Sequence, residues 1–149
     1  MIEQTLNITT KDGAMETFIC HPERNGPFPT VFFLMDAHGV REELKDMARR
    51  LGTVGYYVLL PNLYYRAGRD TIYGPDVQEE GSAEHDNLAP LPMDDELRIL
   101  FARAGTAGEI ELYPGVHHGF AFPQRWCYDK PAAERHWERL LALYRRRLG

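Results

Sequence analysis

Hydrophobic and polar positions along the chain follow two periods in turn. Gln4–Thr10 and Met15–His21 are short β-prone runs joined through Lys11-Asp12-Gly13. An Asp-Gly step between alternating runs is a strong hairpin signal, because its residues tolerate the positive φ of a tight turn. After Gly26-Pro27 comes Pro29–Met35, an apolar run with little interruption. A strand buried on both faces has that pattern. Leu44, Met47, Ala48 and Leu51 then recur at helical spacing, and Gly55 stands where a C-terminal cap belongs. Tyr56–Leu60 is a second apolar run, stopped by Pro61. Strand, helix and strand in that order predict a parallel pair with a crossover helix.

The second half repeats the style. Met93, Leu97, Leu100, Phe101 and Ala104 mark one face of a helix ending at Gly105. Glu109–Tyr113 alternates as a strand, and Pro114-Gly115 breaks it. A last helix is predicted from about Pro131 to Leu148, with Ala133, Trp137, Leu140, Leu141, Tyr144 and Leu148 as its buried stripe. Between the halves, from Ala67 to Pro92, no run has strand or helix quality. Connections of that length are uncommon inside a compact domain. The chain therefore reads as one α/β domain over residues 1–149 with an irregular junction at about 67–92.

Composition narrows the partners. The chain has 149 residues, 44% hydrophobic and 26% charged, which is enough for one domain with one core. A net charge of −5 and a pI near 5.7 argue against nucleic acid or an anionic membrane as partner. The basic cluster Arg145-Arg146-Arg147 ends a predicted helix, where it complements the helix dipole. No segment approaches the roughly 20 apolar residues of a membrane span. Met1-Ile2-Glu3-Gln4 lacks the basic start of a signal peptide. Cys20 and Cys127 form no disulfide framework, so reduced thiols and a cytoplasmic location are expected.

Three local patterns carry candidate chemistry. Met35-Asp36-Ala37-His38-Gly39-Val40 lies at the C-terminal end of a buried strand, where ligands gather in open α/β sheets. A backbone N–H there, such as that of Ala37, can stabilise an oxyanion. Glu84-His85-Asp86-Asn87-Leu88-Ala89-Pro90 precedes a helix, and its carboxylate can orient an imidazole. Tyr113-Pro114-Gly115-Val116-His117-His118-Gly119-Phe120 places a histidine on a glycine-flanked loop after a strand, free to titrate near neutral pH. Taken singly, these are also what an ordinary turn, a helix start and a loop histidine look like. Acid before base in chain order is the α/β-hydrolase arrangement.

Together with Gly55–Arg66 (Gly-Tyr-Tyr-Val-Leu-Leu-Pro-Asn-Leu-Tyr-Tyr-Arg), these ordered motifs resemble the dienelactone hydrolase family of α/β-hydrolases over roughly residues 4–70 and 83–148. The resemblance implies an α/β fold, truncated hydrolase-type, with a mainly parallel sheet, flanking helices and an N-terminal hairpin. It implies Asp86 as the triad acid and His118 as the triad base. Asp36 falls where the family usually has a glutamate that contacts the nucleophile. Ala37 matches an oxyanion-hole N–H, and Arg66 an arginine that binds substrate carboxylate.

Two departures follow. Phe122 stands four residues beyond the base, where dienelactone hydrolases place a second arginine, which favours a less anionic ester or lactone. The larger one is the nucleophile: no Gly-x-Cys-x-Gly or Gly-x-Ser-x-Gly occurs in the chain. Only 19 residues separate Arg66 from Asp86, whereas about three β-α units of roughly 30 residues each belong there. Ser82 lies on no evident elbow, and Cys127 reads as a packed thiol. His85, Asp86, His117 and His118 match no zinc spacing, so neither metal nor cofactor is expected.

The expected function is hydrolysis of a small-molecule carboxylic ester or lactone, impaired by the missing nucleophile. The alternative is a non-catalytic remnant that persists as an oligomeric scaffold. In the family the elbow strand lies beside Thr30–Met35. Its loss leaves an apolar strand edge, which predicts a homo-oligomer.

Overall fold

The computed structural model describes residues 1–67, 91–105, 108 and 110–148. The chain divides into two compact units, Met1–Val77 with Leu148–Gly149, and Gln78–Arg147.

In the first unit, β1 (Ile2–Thr10) and β2 (Gly13–His21) form the expected antiparallel hairpin, closing at Thr10↔Gly13. β3 (Thr30–Phe32) and β4 (Tyr57–Pro61) are parallel, and α1 (Glu42–Thr53) crosses between them. β2 pairs antiparallel with β4, so the sheet is mixed and its order is β1-β2-β4-β3. Val31, Val58 and Cys20 share one register and one sheet face. Leu44, Ala48 and Leu51 of α1 are buried with them. Burying a leucine side chain of this kind contributes roughly 1.5–3 kcal/mol. Gly52 sits close against the sheet, since a Cβ there would lie 3.3 Å from Cys20 Sγ and 2.9 Å from Met1 Sδ.

β3 is shorter than the apolar run Pro29–Met35. Backbone pairing to β4 reaches Phe33, whose N–H donates to Leu59 O at 2.8 Å, and stops there. The chain then turns, leaving Phe32 69% and Leu34 61% exposed. Among the described residues β3 has a sheet neighbour on one edge only.

The second unit contains α2 (Leu91–Ala104) and α3 (Lys130–Leu148). Both helices form where the periodicity places them, but α2 buries nothing. Leu97 and Leu100 of its expected core face are 42% and 57% exposed, because no described element packs on it. Of the stripe expected on α3, only Ala133 and Trp137 are fully buried.

The expected strand Glu109–Tyr113 is corrected as well. Residues 110–113 join no described strand. A strand exists through its ladder, and here the Ile110 carbonyl is taken by a side chain instead. Ile110 O accepts from Arg98 Nη2 at 3.2 Å, and the Glu111 carboxylate pairs with Arg135 Nε at 2.8 Å and Arg139 Nε at 3.1 Å.

Candidate active site

Because β3 and β4 are parallel, the segments that follow them leave the sheet at the same edge. Asp36 and Ala37 follow β3, and Asn62–Arg66 follow β4. The two loops are tied together by Tyr64, whose phenol donates to Ala37 O at 2.9 Å. Tyr64 is itself held by Asn62, a buried side chain whose Oδ1 accepts the Tyr64 N–H at 3.0 Å. This is the edge at which open α/β sheets collect ligands.

Asp36 sits in a small ion network. Its Oδ1 accepts from the His38 N–H at 3.0 Å and from Arg41 Nη1 at 2.6 Å. Arg41 also reaches Glu43, a buried acid in the first turn of α1, at 3.1 Å through Nη2. Asp36 Oδ2 is buried and accepts no hydrogen bond among the described residues. A buried carboxylate oxygen without a donor is costly and marks a place worth a functional question.

Arg66 is turned to the hairpin. Its guanidinium pairs with Asp12 at 2.7 Å and lies over the Tyr65 ring at 4.9 Å, with the side chain 62% exposed. The Asp12 hydrogen bond, first, holds its proton more tightly than usual. An exposed pair of this kind contributes little to stability.

His118 lies in the second unit, half-buried on a loop that bonds to itself. Phe120 N–H donates to His117 O, Phe122 N–H to Gly119 O, and Asp129 N–H to Phe120 O, each at 3.0 Å. The buried Cys127 thiol donates to His118 O at 3.1 Å, which gives this cysteine a structural partner. Gly119 is required twice over. Its φ is +84°, and a Cβ would lie 2.9 Å from Arg125 Cδ. Arg125 lies over Phe122, its Cζ 5.2 Å from the ring centroid. His117, the neighbour of His118, faces outward and packs against Trp126, which is 73% exposed. Asp129 caps α3, accepting the Ala132 N–H at 2.9 Å.

The structure thus brings Asp36 and Ala37 together on one turn, with Arg66 on the neighbouring loop. Asp86 and Ser82 lie outside the described residues. Sequence reasoning missed Arg41 and Tyr64. Tyr64 falls inside a recognised motif, but nothing in spacing singles out its hydroxyl. Arg41 looks like any charged residue at a helix start. No group of three or more metal-ligating side chains occurs among the described residues.

A model of the dienelactone hydrolase family matches residues 15–81 and 77–148, nearly the whole chain. The chain belongs to the dienelactone hydrolase family. Its curated relatives include a protein of Methylorubrum extorquens named "Putative carboxymethylenebutenolidase", 38% identical over 68 residues, which are 46% of this chain and 23% of that one. A protein of Yersinia pestis with the same name is 34% identical over 62 residues, 41% of this chain and 23% of that one. The matched part thus spans about a quarter of the length of these relatives. A crystal structure titled as a putative dienelactone hydrolase from Klebsiella pneumoniae superposes with a TM-score of 0.81. It shares 19% identity over 95% of this chain and 97% of that one. At that identity the likeness shows the fold, an α/β-hydrolase fold, here a mixed four-stranded sheet with three helices among the described residues. No helix of the described residues is long and apolar enough to cross a membrane.

Proposed function

We propose that this chain carries part of a carboxylic-ester or lactone hydrolase site and works far below ordinary enzyme rates, because no Ser or Cys elbow is present in its sequence. His118 acts as general base with Asp86 as its orienting acid. The Ala37 N–H is the surviving half of the oxyanion hole, Asp36 lies beside it, and Arg66 receives an anionic part of the substrate. The observation that carries this reading is the shared sheet edge, where Tyr64 ties the Ala37 turn to the loop of Arg66. Without a nucleophile, His118 activates water directly. Enzymes stripped of their triad keep about 10³–10⁴-fold over water, and they retain an intact oxyanion hole. Hydrolysis of p-nitrophenyl acetate is expected below that range and reduced further by His118→Ala. Turnover at ordinary enzyme rates, with covalent labelling by a fluorophosphonate or iodoacetamide probe, would instead reveal a working nucleophile.

A second reading is favoured by a separate observation. Phe32 and Leu34 are exposed beside a strand edge without a described neighbour, and the apolar face of α2 is uncovered. An apolar strand edge is a template for pairing. We infer a homo-oligomer in which a second copy pairs along β3, whether or not the assembly retains catalysis. Light scattering after size exclusion at micromolar concentration is expected to give at least twice 17.2 kDa. A stable monomer would sink this reading.

A further inference from the structure

The turn after β3 has a feature that none of its residues shows alone. The peptide group joining Ala37 to His38 is held at both ends. Its carbonyl accepts from Tyr64 Oη at 2.9 Å, and its N–H donates to Asp36 Oδ1 at 3.0 Å. Arg41 fixes the same Asp36 oxygen from the other side at 2.6 Å, and Arg41 is braced by the buried Glu43 at 3.1 Å. The side-chain bonds on this turn use Oδ1 of Asp36 and the carbonyl of Ala37, and the Gly39 N–H closes the turn onto the Asp36 backbone carbonyl at 3.0 Å. Two groups on adjacent residues are left over among the described contacts: the acceptor Oδ2 of Asp36, which is buried, and the donor N–H of Ala37.

We propose that Arg41 and Tyr64 are positioning residues that lock this turn, so that Ala37 offers its N–H to the oxygen of the reacting ester. The inference deepens the hydrolase reading and rests on it for its chemical meaning. The physical reason is preorganisation. A donor aimed at a developing oxyanion lowers the barrier only if it does not reorient during reaction. A supporting shell that leaves it about 1 Å loose forfeits much of that effect. Arginine suits the task because its planar fork can hold Asp36 and Glu43 at once, which a point charge does less well. Tyr64 adds a bond from the other loop, so the β3 and β4 ends move together. Neither residue touches the reacting atoms in this account; each acts through the peptide it holds.

The test uses the full chain, ¹⁵N-labelled, as wild type, Arg41→Gln, Arg41→Lys and Tyr64→Phe. The first readout is hydrogen exchange of the His38 amide, whose peptide group both clamps share. Arg41→Gln is expected to accelerate it at least about tenfold and Tyr64→Phe about threefold beyond any change in the core amides of β4, which report global stability. Arg41→Lys is expected to restore protection in part. The second readout is steady-state hydrolysis of p-nitrophenyl acetate, where kcat falls about tenfold in Arg41→Gln and KM stays within about twofold. If wild type shows no hydrolysis, the hydrolase reading fails, and the amide exchange alone decides whether the clamp exists. Unchanged His38 exchange in both Arg41→Gln and Tyr64→Phe overturns the clamp. Faster exchange with unaltered kcat in an active wild type overturns its positioning role.

Discussion

The two units of this chain use similar amounts of apolar sequence to different effect. In the first, Phe18, Ile19, Cys20, Val31, Val58 and Leu60 of the sheet are buried together with Leu44, Ala48 and Leu51 of α1. In the second, burial among the described apolar residues is confined to Val116, Cys127, Ala133 and Trp137, while α2 exposes its apolar face. The difference is not one of helix propensity, since α2 forms where its pattern requires. It lies in what each helix has to pack against. An amphipathic helix gains stability from a covered face, and α1 has a sheet where α2 has no described partner. The loop of His118 is ordered in another way, by hydrogen bonds within itself and to the start of α3. His118 is thus held locally, and the turn of Asp36 is held by a packed sheet edge.

This contrast breaks most directly on paired truncations. Leu51→Ala in the first unit removes a fully buried side chain and is expected to cost about 2–5 kcal/mol in urea unfolding. Leu97→Ala on α2 removes one that is 42% exposed and is expected to cost under about 0.5 kcal/mol. Equal losses would mean that α2 is covered in solution, as a second copy would cover it.

A smaller effect is expected at the start of α3. Asp129→Ala removes the acceptor for the Ala132 N–H and is expected to cost about 0.5–2 kcal/mol, with Asp129→Asn nearer wild type. Circular dichroism during the same unfolding series measures it. If the second unit is ordered mainly by local bonds, this loss exceeds that of Leu97→Ala.

The smallest expected effect is a pH dependence. Burial pushes the His136 imidazole below its ordinary value, and the Glu111 carboxylate partly opposes that shift. The rings of Tyr113 and Phe120 stand edge-on to it at 5.9 and 6.1 Å. The folded chain thus binds this proton less readily than the unfolded chain. The stability that depends on neutral His136 is complete above about pH 6.5 and is lost as pH falls through the lower folded value. Unfolding midpoints between pH 7.5 and 5 are expected to decline less in His136→Phe than in wild type. An identical slope in both would remove His136 from the account.

Much of this fold is legible in the sequence because it depends on local pattern. Asp12-Gly13 between alternating runs dictates the hairpin, and the spacing of Leu44, Ala48 and Leu51 dictates α1 and the face it buries. Acid and base motifs in order, with no elbow between them, point to the family and to what this chain lacks within it. Other features only the tertiary structure decided. Glu109–Tyr113 has the alternation of a strand, yet a strand needs a neighbour to complete its ladder, and alternation alone provides none. The apolar face of α2 is equally plain in sequence, but burial is a property of pairs of elements. Arg41 and Tyr64 lie 23 residues apart. Arg41 reaches the Asp36 turn from five residues away, but Tyr64 reaches it from 27 because β3 and β4 run parallel, a coincidence in space that no spacing along the chain records.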